Sequence, residues 1–189
     1  RSLANLDLWL KKNKIVGITG LDTRALTNFI RDKGAPKGTI AFSKNKNLNI
    51  KKLVNTTVKW SGLKNLDLAK KVSTRKKYIW SGYKTWKKES GYVKNKKNSL
   101  HVVAVDYGIK KNILRYFSDF NCKVTVVSCQ ASAEEIFELK PNGIFLSNGP
   151  GDPAATGKYA INIIKELIKK NLPIFGICLG HQLLALALG

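Results

Sequence analysis

Short apolar runs alternate with amphipathic stretches through residues 100–189, and this alternation constrains the fold more than any other feature of the sequence. Near-continuous apolar runs indicate buried strands, whereas apolar residues three or four positions apart indicate helices. Strands are predicted at 100–105, 123–128, 143–147 and 173–177, and helices at 110–120, 133–139 and 159–170. Strands separated by helices in this way predict a parallel sheet that is covered on both faces. Such sheets bind ligands beyond the carboxyl ends of their strands.

The most specific motif is GICLGHQ at residues 176–182, which lies between two apolar runs. This context places Cys178 on a sharp turn between a strand and a helix, the cysteine version of a nucleophile elbow. The turn lifts the side chain above the sheet edge, Gly176 and Gly180 allow close approach of strand and helix, and the helix N-terminus favours a thiolate. The motif therefore predicts a nucleophile. The alternative is a buried cysteine beside two packing glycines.

A second motif, SNGPGDP at residues 147–153, follows the preceding predicted strand, and we call it the glycine loop. Attack of a thiolate on an amide needs hydrogen-bond donors for the developing oxyanion. The backbone N–H of Leu179 is one expected donor, and the glycine loop is expected to supply the other. Taken alone, the loop is only a strong turn signal. Its place one strand before the elbow makes it specific.

The first half of the chain is less regular. Residues 22–31 predict a helix with Asp22 or Thr23 as its N-cap, ending at Gly34, with an apolar face that we expect to be buried. That face consists of Leu26, Phe29 and Ile30. Residues 43–97 are rich in Lys, Asn and Trp and predict a mixed connector that is ordered in part.

The net charge is +22, and it is unevenly distributed. Residues 1–100 carry 25 Lys and Arg against 5 Asp and Glu, whereas residues 101–189 carry 9 against 7. Only 5 of the 34 basic residues are Arg, and no nucleic-acid motif accompanies them, so we expect a solvated surface and no nucleic-acid partner.

Three cysteines form neither a disulfide framework nor a zinc pattern, which favours a reducing cytoplasm. No segment resembles a signal peptide or a membrane span, so no membrane partner is expected.

Together the elbow and the glycine loop resemble the class I glutamine amidotransferases. Further motifs resemble the carbamoyl-phosphate synthase small chain family: GLDTRAL at 20–26, RDKGA at 31–35, NLDLA at 65–69 and VDYGIKKNILR at 105–115. The resemblance implies an α/β fold in which a flavodoxin-like, mostly parallel amidotransferase domain, truncated at its C-terminus, is preceded by part of a smaller N-terminal α/β domain. We expect residues 1–60 to belong to that smaller domain, 61–98 to form a Lys-rich connector, and 99–189 to form the first half of the amidotransferase domain.

The same resemblance implies a glutaminase subunit. Such a subunit hydrolyses L-glutamine through a cysteine thioester and delivers ammonia to a large subunit, which makes carbamoyl phosphate from bicarbonate and ATP for pyrimidine and arginine biosynthesis. Cys178 matches the nucleophile, and four residues match positions that contact glutamine: Gly149, Gly151, Leu179 and Gln182. No metal or cofactor is expected in this chain, because ATP and Mg²⁺ would bind the large subunit.

Family members also use a catalytic His with a Glu partner beyond the elbow, and an upstream Ser, and we expect these to lie outside the 189 residues. The chain is therefore expected to be a piece lacking both ends, inactive by itself. His181 matches a position that the family does not use as its base. His101, at the start of a strand, is expected to be structural, and Cys122 and Cys129 to be packing thiols.

Three other interpretations stay open at this point. The chain could belong to another amidotransferase, although the 22–24 Asp-Thr-Arg segment argues against that. From a different class, it could be a basic nucleic-acid-binding module, which would bind with steep salt dependence. A cysteine hydrolase or protease would attack peptides or esters instead of free glutamine.

Overall fold

The computed structural model describes residues 5–34, 36–45 and 47–189, which divide into two compact units, Arg1–Gly62 and Leu63–Gly189. The described residues of the first unit form three helices, α1 (Leu6–Lys12), α2 (Thr23–Lys33) and α3 (Ile50–Lys59), and each begins at a side-chain N-cap. The side chain of Asp22 accepts a hydrogen bond from the Ala25 N–H, which confirms the N-cap predicted for α2.

The buried face predicted for α2 is wrong for this structure. Leu26, Phe29 and Ile30 are 40%, 50% and 40% exposed. None of the described residues between 5 and 62 is buried. The apolar stripe of α2 therefore has no covering layer among them, although the stripe itself lies on one side of the helix as its spacing predicts.

The second unit contains a five-stranded sheet with the order β1-β3-β2-β4-β5. Its strands are β1 (Tyr78–Ile79), β2 (Leu100–Asp106), β3 (Cys122–Ser128), β4 (Gly143–Leu146) and β5 (Ile174–Gly176). Only β1 runs antiparallel to its neighbour. The predicted mostly parallel α/β fold is confirmed, and the four strands predicted from the sequence lie within two residues of their expected bounds.

Helices pack on both faces of this sheet, but unequally. On one face α6 (Ala133–Glu138), α7 (Pro153–Ile168) and α8 (Leu179–Leu188) cover a core that includes Val103, Ile144 and Leu146. On the other face α5 (Lys111–Asp119) covers a smaller core around Val124 and Phe145.

The smaller core leaves β5 uncovered on the side of α5. Phe175 is 61% exposed there, and an apolar cavity of about 540 Å³ opens between Phe117, Phe145 and Phe175. The prediction of a sheet covered on both faces is therefore correct for β2 and β3 and wrong for this side of β5. Among the described residues, no helix is both long and apolar enough to cross a membrane.

Residues 63–98 pack against this sheet. A short helix, α4 (Ala69–Val72), places Ala69 fully buried in the larger core, and β1 extends the sheet beside β3. Trp80 donates its backbone N–H to the Val124 carbonyl and packs against the smaller core. The boundary of this segment at residue 98 stays a prediction.

The order of the strands fixes where a ligand can bind. From β2 the chain moves outward to β3, and it then returns to the other side of β2 to form β4 and β5. The loops after β2 and β4 therefore diverge at a topological switch point, which is where open parallel sheets form their ligand crevices.

His101 should make the stability of the second unit depend on pH. Burial, followed by the positive charge of Lys123, lowers the pKa of His101, although backbone carbonyls at Leu139 and Lys140 oppose this. Because the unfolded chain then binds protons more readily, the contribution of neutral His101 is complete above about pH 6.5 and falls as the pH drops below that value. We expect the difference in Tm between wild type and His101→Gln to shrink between about pH 7.5 and pH 5.5 in thermal unfolding. An equal difference at both pH values would contradict this role.

Candidate active site

Cys178 occupies a strained position between β5 and α8. It is the N-cap residue of α8, and its φ of 54° and ψ of −112° lie in a region that residues other than glycine rarely adopt. Its side chain is exposed. The structure therefore has the geometry of a nucleophile elbow at the predicted residue.

Two glycines make this turn sterically feasible. A Cβ on Gly176 would lie 2.7 Å from the carbonyl carbon and oxygen of Gly180, and a Cβ on Gly180 would overlap the carbonyl oxygen of Leu146. Contacts that short do not occur between real side chains and backbone. The first turn of α8 can thus lie against the ends of β4 and β5 only with glycine at both positions.

Hydrogen bonds connect the elbow to the start of the glycine loop. The Gly180 N–H donates to the Ser147 carbonyl at 3.0 Å, and the Ile177 N–H donates to the Leu146 carbonyl at 3.1 Å. Leu146 and Gly176 are register partners in neighbouring parallel strands. The glycine loop and the elbow therefore leave the same edge of the sheet side by side, as the sequence predicts.

The N-terminal side of the glycine loop is held by the loop that follows β2. Ser147, which is fully buried, accepts the Tyr107 N–H on its hydroxyl at 2.9 Å. The side chain of Asn148 donates to the Gly108 carbonyl at 3.1 Å and accepts the Lys110 N–H at 3.1 Å. A Cβ on Gly149 would overlap the carbonyl oxygen of Tyr107, so this loop also needs glycine for close approach.

The C-terminal side of the loop is held by residues 65–69. The carboxylate of Asp152 accepts the Ala154 N–H as the N-cap of α7 and accepts the Asn65 N–H at 2.8 Å. The hydrogen bonds from Asn65 and then Ala154 lower the pKa of Asp152. The Asp152 N–H in turn donates to the Leu66 carbonyl at 3.0 Å. Sequence reasoning used NLDLA at 65–69 only as part of a resemblance and missed this contact.

The structure places the predicted glutamine-contacting residues on these two segments. Gly149 and Gly151 belong to the glycine loop, whereas Leu179 and Gln182 belong to the first turn of α8. The Gln182 N–H donates to the Cys178 carbonyl at 3.0 Å, and its side chain is exposed. Leu179 is 1% exposed and packs in the larger core, so only its backbone is suited to contact a ligand.

The two histidines differ in their surroundings. His101 lies near the start of β2, away from the carboxyl edge, and its Nε2 is 2.8 Å from the Thr125 hydroxyl, which supports the structural role predicted for it. His181 is exposed in the first turn of α8. Cys122 and Cys129 are buried, as expected of packing thiols. In the part of the chain that the structure describes, no group of three His, Cys, Asp or Glu residues could hold a metal ion.

Comparison with known protein families gives this geometry a class. The profile described as Glutamine amidotransferase class-I matches residues 103–189, which contain β3, β4, β5, most of β2, the glycine loop and the elbow. The profile described as Carbamoyl-phosphate synthase small chain, CPSase domain, matches residues 1–40. The fold of residues 103–189 is thus that of a class I glutamine amidotransferase domain. Over its whole length the chain is similar to carbamoyl phosphate synthase small chains, which confirms the resemblance.

Curated relatives match the chain from end to end. Small chains from Rhizobium meliloti and Agrobacterium fabrum are 52% and 51% identical to it, each over 100% of this chain and 47% of the relative. The small chain from Zymomonas mobilis is 50% identical over 100% of this chain and 50% of the relative. The chain therefore spans about half the length of the curated relatives it matches.

One solved structure, from Thermoplasma acidophilum and provisionally named as part of a GMP synthase, is also similar. It is 25% identical with a TM-score of 0.42, and the match covers 48% of this chain and 45% of that chain. At that TM-score the likeness is only partial.

Replacing Gly180 should disrupt the elbow. Because the added methyl group of Gly180→Ala would overlap the Leu146 carbonyl, α8 must shift away from β4, and we expect a loss of about 1–3 kcal/mol in the free energy of unfolding. Gly38→Ala is the matched control, because a Cβ at Gly38 has nothing within 4 Å. Denaturant unfolding of both variants checks this. Equal stability of the two variants would show that the close approach is not required.

Proposed function

We propose that this chain carries the nucleophile and part of the glutamine pocket of a carbamoyl phosphate synthase small subunit. The observation that carries the proposal is the juxtaposition of two segments. Cys178 is exposed on a strained turn. The Gly180 N–H, in the first turn of α8, donates a hydrogen bond to the carbonyl of Ser147, the first residue of the glycine loop. Similarity to the class I glutamine amidotransferases makes glutamine the substrate that fits this arrangement.

In the proposed reaction the Cys178 sulfur attacks the side-chain amide carbon of glutamine as a thiolate. The carbonyl π electrons move to the amide oxygen, which becomes an oxyanion. Backbone N–H groups of Leu179 and the glycine loop are suited to stabilise that charge, since the loop and the helix start leave the same sheet edge. Collapse of the tetrahedral intermediate breaks the C–N bond and, with a proton from a general acid, releases ammonia. Water then hydrolyses the thioester to glutamate and restores the thiol.

The remaining parts of the site follow from the same proposal. Gly149 and Gly151 would approach the bound glutamine through their backbone, and Gln182 through its exposed side-chain amide, one helical turn beyond Cys178. The general base and its carboxylate partner, a His and a Glu in the family, are expected outside these 189 residues. This chain alone would then not turn over glutamine.

The partner in this proposal is the large subunit of carbamoyl phosphate synthase. It would receive ammonia and combine it with bicarbonate at the expense of ATP, in pyrimidine and arginine biosynthesis. ATP and Mg²⁺ would bind that partner, and this chain would need no cofactor. We place the heterodimer in the cytoplasm, where the three free cysteines stay reduced, with no nucleic-acid or membrane partner.

Removing the sulfur nucleophile tests the proposal directly. In the protein at its full natural length, with the large subunit, Cys178→Ser should lower glutamine-dependent carbamoyl phosphate synthesis by about a thousandfold or more. Synthesis from added ammonium chloride should continue, because ammonia bypasses the glutaminase step.

Cys122→Ala is the matched control, since Cys122 is a buried thiol at the start of β3 and should not affect glutamine turnover. If Cys178→Ser keeps glutamine-dependent carbamoyl phosphate synthesis near the wild-type rate, Cys178 is not the nucleophile.

Gln182 should affect the binding of glutamine more than its chemistry. Loss of one hydrogen bond to the bound substrate predicts a KM for glutamine that is about 3–10-fold higher in Gln182→Ala, with a smaller change in kcat. His181→Ala, which removes the neighbouring exposed side chain, should leave both constants near their wild-type values. Steady-state kinetics with varied glutamine gives both constants, and an unchanged KM in Gln182→Ala would place its side chain outside the pocket.

A further inference from the structure

Gly151, in the proposed glutamine-contacting loop, lies directly against the backbone of residues 65–69. A Cβ built on Gly151 would lie 2.8 Å from the Leu66 carbonyl oxygen and 2.9 Å from the Leu68 nitrogen. Gly151 also has a φ of 108°. Its conformation is therefore determined on one side by the position of Leu66 and Leu68.

Residues 65–69 hold that position through the side chain of Asp67, which contacts α7. Its Oδ1 atom accepts the hydroxyl of Thr156 at 3.2 Å and lies 3.5 Å from the hydroxyl of Tyr159. The same oxygen accepts the Lys70 N–H at 3.2 Å, at the start of α4. One carboxylate thus joins α4 to the first half of α7.

The two donors on α7 are well suited to hold a carboxylate. Thr156 is fully buried, so its hydroxyl has no access to water and needs a protein partner. Burial, followed by a hydrogen bond with Cys129, raises the pKa of Tyr159, so that its hydroxyl stays protonated. Its single proton is shared between the Cys129 sulfur and the Asp67 carboxylate, each 3.5 Å away, so Thr156 is the principal donor to Asp67. Hydrogen bonds to a charged acceptor are stronger than those between neutral groups.

These contacts close a ring around the C-terminal side of the glycine loop. The N-cap of α7, Asp152, forms hydrogen bonds with the backbone of Asn65 and Leu66. The side chain of Asp67, in the same segment, accepts a hydrogen bond from Thr156 in α7. We propose that Asp67 is a positioning residue for the glutamine pocket, which fixes the backbone of Gly151 by holding residues 65–69 against α7. This inference rests on the proposed function, because it assigns Asp67 to the binding of glutamine.

The test uses the protein at its full natural length and compares two electrophiles that both alkylate Cys178. A chloromethyl ketone analogue of glutamine must first occupy the pocket, whereas iodoacetamide needs only an accessible thiolate. In Asp67→Ala we expect the second-order rate constant for the glutamine analogue to fall by about tenfold, and that for iodoacetamide to stay within about twofold of wild type. The KM for glutamine should rise by a factor similar to the fall in the analogue's rate constant.

Two further variants separate positioning from general stability. Asp67→Asn keeps an oxygen acceptor for Thr156 and Tyr159 and should restore most of the analogue's rate. Asp119→Ala removes a carboxylate that accepts the N–H and hydroxyl of Thr85, a comparable set of contacts away from the glycine loop, and should react with the analogue like wild type.

An analogue rate near wild type in Asp67→Ala, or an equal loss with both electrophiles, would overturn the proposal. If Asp67→Ala does not fold, Thr156→Val and Tyr159→Phe each remove one donor, and an unchanged analogue rate in both overturns it as well. Should glutamine fail to protect the wild-type Cys178 from the analogue, the proposed function itself is wrong, and the inference falls with it.

Discussion

The close approach of α8 to the end of β4 is the constraint on which the rest of the site depends. Gly180 lies so near the Leu146 carbonyl that no side chain fits between them, and its N–H bonds to the next carbonyl, that of Ser147. One residue therefore sets both the position of the elbow and the point at which the glycine loop leaves the sheet. Leu146 in β4 pairs with Gly176 in β5, so the ends of the two strands are fixed relative to each other. The elbow and the glycine loop, which follow these ends, therefore cannot shift independently.

Strain at Cys178 is tolerated because its neighbours are fixed. A residue other than glycine at positive φ costs about 1–3 kcal/mol, and such a conformation persists only where the surroundings determine it. Here the buried side chains of Leu179 and Leu183 hold α8 in the larger core, while the Gln182 N–H bonds back to the Cys178 carbonyl. These contacts secure the chain after the strained residue, and the hydrogen bond from the Ile177 N–H to the Leu146 carbonyl secures the chain before it, while the thiol stays exposed at the sheet edge.

Local patterns predicted the sheet and the elbow but not the whole of α7. That helix begins at Pro153, six residues before the predicted start at 159, with Asp152 as its N-cap. Its first turns bury Ala155, Thr156 and Gly157, which are small residues that carry little hydrophobic periodicity. Small residues allow this part of α7 to pack closely against the rest of the second unit. A search for regularly spaced large apolar residues does not detect such a turn. The elbow was predictable because its glycines and flanking apolar runs all lie within 17 consecutive residues, 172–188.

The contacts that complete the site join residues far apart in the sequence. Asn65 and Asp152, or Asp67 and Thr156, meet because residues 65–67 lie against the start of α7, and no spacing rule connects positions separated by nearly ninety residues. Residues 65–67 also lie in the Lys-rich stretch 61–98, whose composition indicates a connector. Composition describes the solvent-facing side chains of that stretch, whereas its contribution to the site comes from backbone groups and one carboxylate. A segment predicted as a connector can therefore determine the shape of a pocket, because hydrogen-bonding backbone is present in any sequence and leaves no compositional trace.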